Sequence, residues 1–141
     1  MPIVFYLRPA TAEDNESIQR VYSYIVGPPT GQERTWNRLI HEGCLFVAEV
    51  DREVVGFGGI DLDAVEQLKW LYVLPEFQSA GIGSKLLKEL EDAAWTRNLI
   101  AIRLHAAPNA VEFYRRHGYT EAEDDREVHD HQGVVMIKSR A

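Results

Sequence analysis

The sequence has a single cysteine, Cys44, so no internal disulfide can form. This excludes the small secreted scaffolds that rely on a disulfide framework in place of a large core. Cys44 lies in an apolar run and reads as a small core residue, and a reducing cytoplasm is the simplest compartment for it. Long hydrophobic runs are missing too. None approaches the roughly 20 residues that a membrane span requires, so no membrane partner is expected. The first residues, M-P-I-V-F-Y-L-R-P, place no basic segment ahead of an apolar one, and no signal peptide is expected there. Positive charge is in deficit: 15 Lys and Arg stand against 22 Asp and Glu, a net charge of -7. Nonspecific nucleic-acid binding relies on basic surface, so no nucleic-acid partner is expected. The same balance suits a cationic partner such as an amine, and it also serves solubility alone. No repeat, low-complexity tract or linker interrupts the chain. Two phosphate motifs are absent as well. The nucleotide-hydrolysing loop needs G-x-x-x-x-G-K-[ST], whereas Lys85 follows Gly83 by two places; the dinucleotide motif G-x-G-x-x-G needs a third glycine after Gly83, and there is none.

What is present is one domain's worth of sequence. A chain of 141 residues with 45% apolar and 26% charged residues can bury a single core, so residues 1–141 are read as one domain. Apolar periodicity predicts strands at about 3–8, 44–50, 54–60, 68–74, 100–105, 121–128 and 134–138. Helices are expected from Thr11, which caps with Asp14 as its partner, at about 33–41, from the glycine loop to about 97, and from Pro108 to Gly118. Residues 27–32, G-P-P-T-G-Q, must be a loop. The runs 44–50 and 54–60 read as a hairpin turning at Asp51-Arg52, without the glycine such turns prefer. The fold class is α/β, a mixed, largely antiparallel central sheet flanked by about four helices.

The most informative stretch is V-L-P-E-F-Q-S-A-G-I-G-S-K-L-L, residues 73–87. A strand ends near Pro75, a short loop closes on Gln78, Gly81 and Gly83, and an amphipathic helix follows with Ile82, Leu86, Leu87, Leu90 and Ala94 on one face. The first N–H groups of a helix lack internal partners and sit at the positive end of its dipole. Glycines let an anion approach them, and a pyrophosphate suits such a loop. On the glycines alone, a plain helix start with a tight turn fits equally well.

Residues 104–119, L-H-A-A-P-N-A-V-E-F-Y-R-R-H-G-Y, supply the second half of the pattern. The Q-x-x-G-x-G loop, and Ala110, Phe113, Tyr114, Gly118 and Tyr119 in A-x-x-F/L-Y-x-x-x-G-F/Y, together resemble the GCN5-related N-acetyltransferases (GNAT). The resemblance covers nearly the whole chain. It implies a GNAT-like fold with acetyl-coenzyme A as cosubstrate, and an N-acetyltransferase that moves the acetyl group to a primary amine in a ternary complex. The cofactor-binding residues it implies are Gln78, Ser79, Ala80, Gly81, Ile82, Gly83 and Ser84 in the loop, with the backbone of Leu71, Tyr72 and Val73 beside the pantetheine. A homodimer is compatible with it. The chain departs from many relatives at Ala107, where they carry an asparagine; Asn109, just before Ala110, takes over that contact or is simply a first-turn helix residue.

Acetyl transfer needs a deprotonated amine, a donor for the oxyanion and a proton for the leaving thiolate. Tyr114 is the candidate for the third role, since a phenol titrates near ~10 and stays protonated at neutral pH; the alternative is a core tyrosine beside Phe113. His105, at the end of the fifth strand, is a candidate base, or a strand-end histidine held by backbone. Asp61, Asp63 and Glu66 either steer and deprotonate an ammonium group or form a solvated acidic loop. Many relatives use water in place of a side-chain base. Trp36 is placed in packing or in the wall of an acceptor pocket. His129 and His131 flank Asp130 on one strand face, too few ligands for a zinc site, and no metal is expected. A module that kept the cofactor loop and lost catalysis, an acyl-coenzyme A sensor, is the competing functional class.

Overall fold

The computed structural model describes residues 2–28, 31–122 and 133–140. In chain order they form β1 (Tyr6–Pro9), α1 (Asn15–Ile25), α2 (Glu33–Glu42), β2 (Leu45–Val50), β3 (Glu53–Ile60), β4 (Leu68–Val73), α3 (Ile82–Thr96), β5 (Ala101–Ala106), α4 (Val111–Arg116), β6 (Thr120–Glu121) and β7 (Val134–Ser139). Short 3-10 turns at Ala12–Asp14, Pro75–Ala80 and Pro108–Ala110 lead into α1, α3 and α4. The first strand starts later than its apolar run suggests, and the expected first turns of α1 and α4 are tighter 3-10 turns. Of the strand expected at 121–128, only its start is described; the rest, with His129, Asp130 and His131, lies outside the described residues. Among those residues, no helix is long and apolar enough to cross a membrane.

One seven-stranded sheet runs in the order β1-β2-β3-β4-β5-β7-β6. Every neighbouring pair is antiparallel except β4 and β5. The β2–β3 hairpin pairs Val50 with Glu53, which leaves a two-residue turn. Its central residues, Asp51 and Arg52, have φ of 50° and 69°. A two-residue turn of type I′ needs positive φ at both positions, and here the flanking strands impose it on residues other than glycine.

Helices cover both faces of the sheet. Successive strand residues point to opposite faces. A Cβ at Gly58 would lie 2.7 Å from Leu90 of α3, and one at Gly59 would lie 2.5 Å from Leu45 and 3.4 Å from Leu39 of α2. Close approach on both sides therefore requires glycine at these two positions. The predicted stripe of α3 is buried throughout, as are Ile18 and Val21 of α1 and Trp36 and Leu39 of α2. Cys44 is fully buried, as expected of a core residue.

The entry to α1 is locked electrostatically. The Thr11 N–H donates to the Asp14 carboxylate at 2.7 Å. Arg8 on β1 donates to both Asp14 oxygens, at 2.7 and 2.8 Å, and also pairs with Glu49. The Arg8 hydrogen bonds hold the Asp14 carboxyl below the usual carboxylate range, against the opposing effect of burial. A carboxyl lowered in the folded state stabilises the fold above its unfolded value, near ~3.9, and the contribution disappears as pH falls through the folded value. Asp14→Asn is therefore expected to cost about 1–3 kcal/mol at pH 7. Urea titrations of both proteins should show the difference shrinking below about pH 4; a difference independent of pH would refute the assignment.

Candidate active site

The chain leaves β4 through Leu74 and enters the 3-10 turn at Pro75, where proline's missing N–H does no harm. Gln78 braces this turn: its side-chain amide donates to the Val73 carbonyl at 2.9 Å, tying the loop to the end of β4. Gly81 then takes φ of +84° and serves as the N-cap of α3. No atom lies within 4 Å of a Cβ built on Gly81, so backbone conformation, and not crowding, requires glycine there. At Gly83 a Cβ would make only ordinary contact with Phe113, at 3.6 Å. The first turn of α3 closes with Lys85 N–H donating to the Gly81 carbonyl at 3.2 Å. No side chain caps this helix start, and no acidic residue lies in its first turn. The N–H groups of Ile82, Gly83 and Ser84 are thus the kind of anion-binding donors the sequence suggests.

Beside this loop the sheet opens. β4 and β5 run parallel and pair at one position, Leu68 with Leu104. On its other edge β4 remains fully engaged, with Leu71, Tyr72 and Val73 opposite Gly58, Phe57 and Gly56. The β5-facing edge of β4 therefore loses its ladder within one residue of Leu68. Strand backbone without a neighbour in mid-sheet calls for another polar partner.

Tyr114 lies on α4, 8% exposed, with its ring edge-on to Phe113 at 5.2 Å and to Tyr119 at 5.6 Å. Among the described residues its hydroxyl has no hydrogen-bond partner. Burial, assisted by the nearby Tyr72 phenol, pushes its pKa well above the ordinary phenol value. Tyr72 is itself raised by burial and by Tyr22. Tyr114 is thus a protonated, unspent donor within electrostatic reach of the splayed segment of β4.

The other expected site residues are arranged less directly. His105 is an exposed residue of β5, one place beyond the only β4–β5 pair, and sits opposite Val135 of β7. Asn109 is exposed in the 3-10 turn before α4. Asp61 is not part of a solvated acidic loop. It is 6% exposed and accepts from Arg38 at 2.8 Å and from the Asp63 N–H at 3.1 Å. Trp36 is fully buried, edge-on to Tyr22, Phe57 and Trp70, and so serves packing. No group of three metal-binding side chains occurs among the described residues.

Two contacts escape sequence reasoning. Gln32, at the N-cap of α2, donates to the Tyr22 hydroxyl and accepts from the Trp70 indole, both at 2.7 Å, and so fastens the loop before α2 to α1 and β4. The Tyr22 and Tyr72 rings meet edge-on at 5.7 Å beside it. His117 bonds to Ser84 at 3.0 Å and so joins the end of α4 to the first turn of α3.

The model of the acetyltransferase (GNAT) domain matches residues 11–140, and the chain belongs to this family. An uncharacterized N-acetyltransferase of Archaeoglobus fulgidus is 39% identical over 62 residues, 38% of this chain and 42% of that protein, so the match spans less than half of the curated relative. The chain also has the fold of the PaiA N-acetyltransferase from Thermoplasma acidophilum, solved in complex with coenzyme A, with a TM-score of 0.71 at 21% identity over 98% of this chain and 100% of that one. The fold of Naa50 from Arabidopsis thaliana, solved with the bisubstrate analogue CoA-Ac-MVNAL, is similarly close: TM-score 0.75, 19% identity, 96% and 99% coverage.

Proposed function

We propose that this chain is an acetyl-coenzyme A-dependent N-acetyltransferase that acetylates a primary amine by direct transfer, with Tyr114 as general acid. The observation that carries the reading is Tyr114 itself: a buried, protonated phenol without a protein acceptor among the described residues, beside the splayed segment of β4. A sensor that only bound the cofactor would have no use for such a donor.

In this reading the pyrophosphate lies on the loop of Ser79, Ala80, Gly81, Ile82, Gly83 and Ser84, where α3 presents free N–H groups. Gln78 holds that loop in place through Val73. The pantetheine amides pair with the backbone of Leu71, Tyr72 and Val73, where β5 has diverged, and a strand N–H there receives the thioester oxygen. Asn109 borders the same cofactor. The neutral amine attacks the thioester carbonyl and a C–N bond forms. Collapse of the tetrahedral oxyanion breaks the C–S bond, and the departing sulfur takes the Tyr114 proton. The burial that raises the phenol also disfavours a bare thiolate, so the transfer stays feasible. The amine's proton leaves to His105 or to water.

The acceptor is a cationic amine that enters beside Gln32, past Tyr22 and Tyr72. The supports are the acidic net charge and the aromatic rings there, whose faces attract ammonium groups. Asp61 adds nothing, since Arg38 engages it. A panel of cationic, neutral and anionic amines, followed by release of free thiol from acetyl-coenzyme A, tests both parts. Turnover confined to neutral or anionic acceptors would reject the cationic class. Tight cofactor binding with no turnover on any amine would select the sensor.

A further inference from the structure

The Ser84 hydroxyl sits at the third residue of α3, inside the loop assigned above to the pyrophosphate, and His117 reaches it from another helix. The His117 Nδ1 lies 2.7 Å from the Phe113 carbonyl, which can only accept, so Nδ1 carries a proton. The Nε2 lies 3.0 Å from the Ser84 Oγ. Two arrangements satisfy this geometry. With a neutral ring, Nε2 accepts and the Ser84 proton is used up on the imidazole. With a doubly protonated ring, Nε2 donates to Oγ, and the Ser84 O–H is released toward whatever lies over the helix start. The ring cannot readily turn away, because it stacks on Phe113 with centroids 4.5 Å apart.

A bound anion over the helix start favours the second arrangement, because negative charge there stabilises a doubly protonated ring. On its own helix Glu112 pairs with Arg115, leaving exposed Arg116. On α3, Lys88 pairs with Asp92 at 3.2 Å, and Lys85 is exposed. From β7, Lys138 pairs with Glu91 at 3.2 Å. Lys85 and Arg116 are exposed cations on the two helices that carry Ser84 and precede His117.

We propose that His117 is a positioning residue for coenzyme A: doubly protonated, it donates to Ser84 and so turns the Ser84 hydroxyl to donate to the pyrophosphate. The proposal rests on the placement of the pyrophosphate at residues 79–84. It predicts that cofactor binding takes up a proton at His117 and tightens as pH falls.

The test is a double-mutant cycle on Ser84→Ala and His117→Phe, in which phenylalanine keeps a ring against Phe113. Affinity is measured by calorimetry at about pH 6 and about pH 8, on either side of ordinary imidazole titration. The probe is dephospho-coenzyme A, whose pyrophosphate does not titrate in that range. The wild type should bind about tenfold more tightly at the lower pH, the scale of one hydrogen bond to a charged group. Each single variant should lose that gain, and the double variant should bind no worse than either one. Additive losses, a pH effect that survives in His117→Phe, or a lowered melting temperature with unchanged affinity would each overturn the proposal. Gly81→Val separates the two levels. If it weakens binding while His117→Phe does not, only the histidine's role falls; if neither variant weakens binding, the pyrophosphate placement falls with it.

Discussion

Tyr114→Phe is expected to fold as the wild type does, to bind acetyl-coenzyme A with little change, and to lose kcat by about 10²–10⁴-fold, the usual contribution of general acid catalysis. The structure makes this substitution unusually clean. The Tyr114 ring packs against Phe113 and Tyr119, and phenylalanine preserves both contacts. The hydroxyl has no protein partner among the described residues, so removing it forfeits no internal hydrogen bond. A structural tyrosine would therefore leave both melting temperature and kcat nearly unchanged, and only a proton donor would lose turnover at constant stability. The pH profile gives a second readout. Because burial raises this phenol, kcat should show no decline from Tyr114 ionisation below the ordinary phenol range of about 10. Wild-type kcat in the variant, under conditions where chemistry limits the rate, would remove Tyr114 from the mechanism.

Gly81→Val should weaken coenzyme A binding by tenfold or more, since each lost backbone bond to a charged group is worth about 1.5–3 kcal/mol. Two effects combine at this position. The residue adopts φ of +84°, which a β-branched side chain resists, at roughly 1–2 kcal/mol. The new side chain would also project into space that no protein atom occupies, where the pyrophosphate is placed. Gly81→Asn separates the two, because asparagine tolerates left-handed backbone better than other side chains. A folded Gly81→Val protein with unchanged calorimetric affinity would refute the placement. Equal stability losses in both variants with no change in binding would show the glycine to be a turn residue and nothing more.

The strands and helices were legible wherever a clear period met a clear stop. The apolar runs of β2 and β3, the stripe of α3 and the glycine loop before it all appear within a residue or two of their predicted bounds. The Asp51-Arg52 turn was legible from the length of the gap, although its residues argue against it: two paired strands override the preference of a two-residue turn. Asp61 was misread because its partner, Arg38, stands 23 positions away, and a carboxylate surrounded by other acids in sequence looks solvated until the helix that neutralises it is placed. For Trp36 the structure bears out packing, the first of the two roles the sequence left open. Proximity to a loop in sequence says nothing about which way a helical side chain turns, and here it turns inward among Tyr22, Phe57 and Trp70. Contacts such as Ser84 with His117 depend on how two helices meet, and no local pattern encodes that.

The single backbone pair between β4 and β5 divides the sheet into two leaves, β1 to β4 and β5 with β7 and β6. Such a seam has little stiffness of its own, so its opening angle must be fixed by side chains that cross it. Glu91 is one of them. It belongs to α3, which packs on the first leaf, yet its carboxylate accepts from Tyr119 at 2.9 Å and from Lys138 of the second leaf at 3.2 Å. Removing that carboxylate would release both Tyr119 and the half-buried Lys138 from their shared partner on α3. The separation of β4 from β5 is thus held in part from one face of the sheet, by a single buried acid of α3.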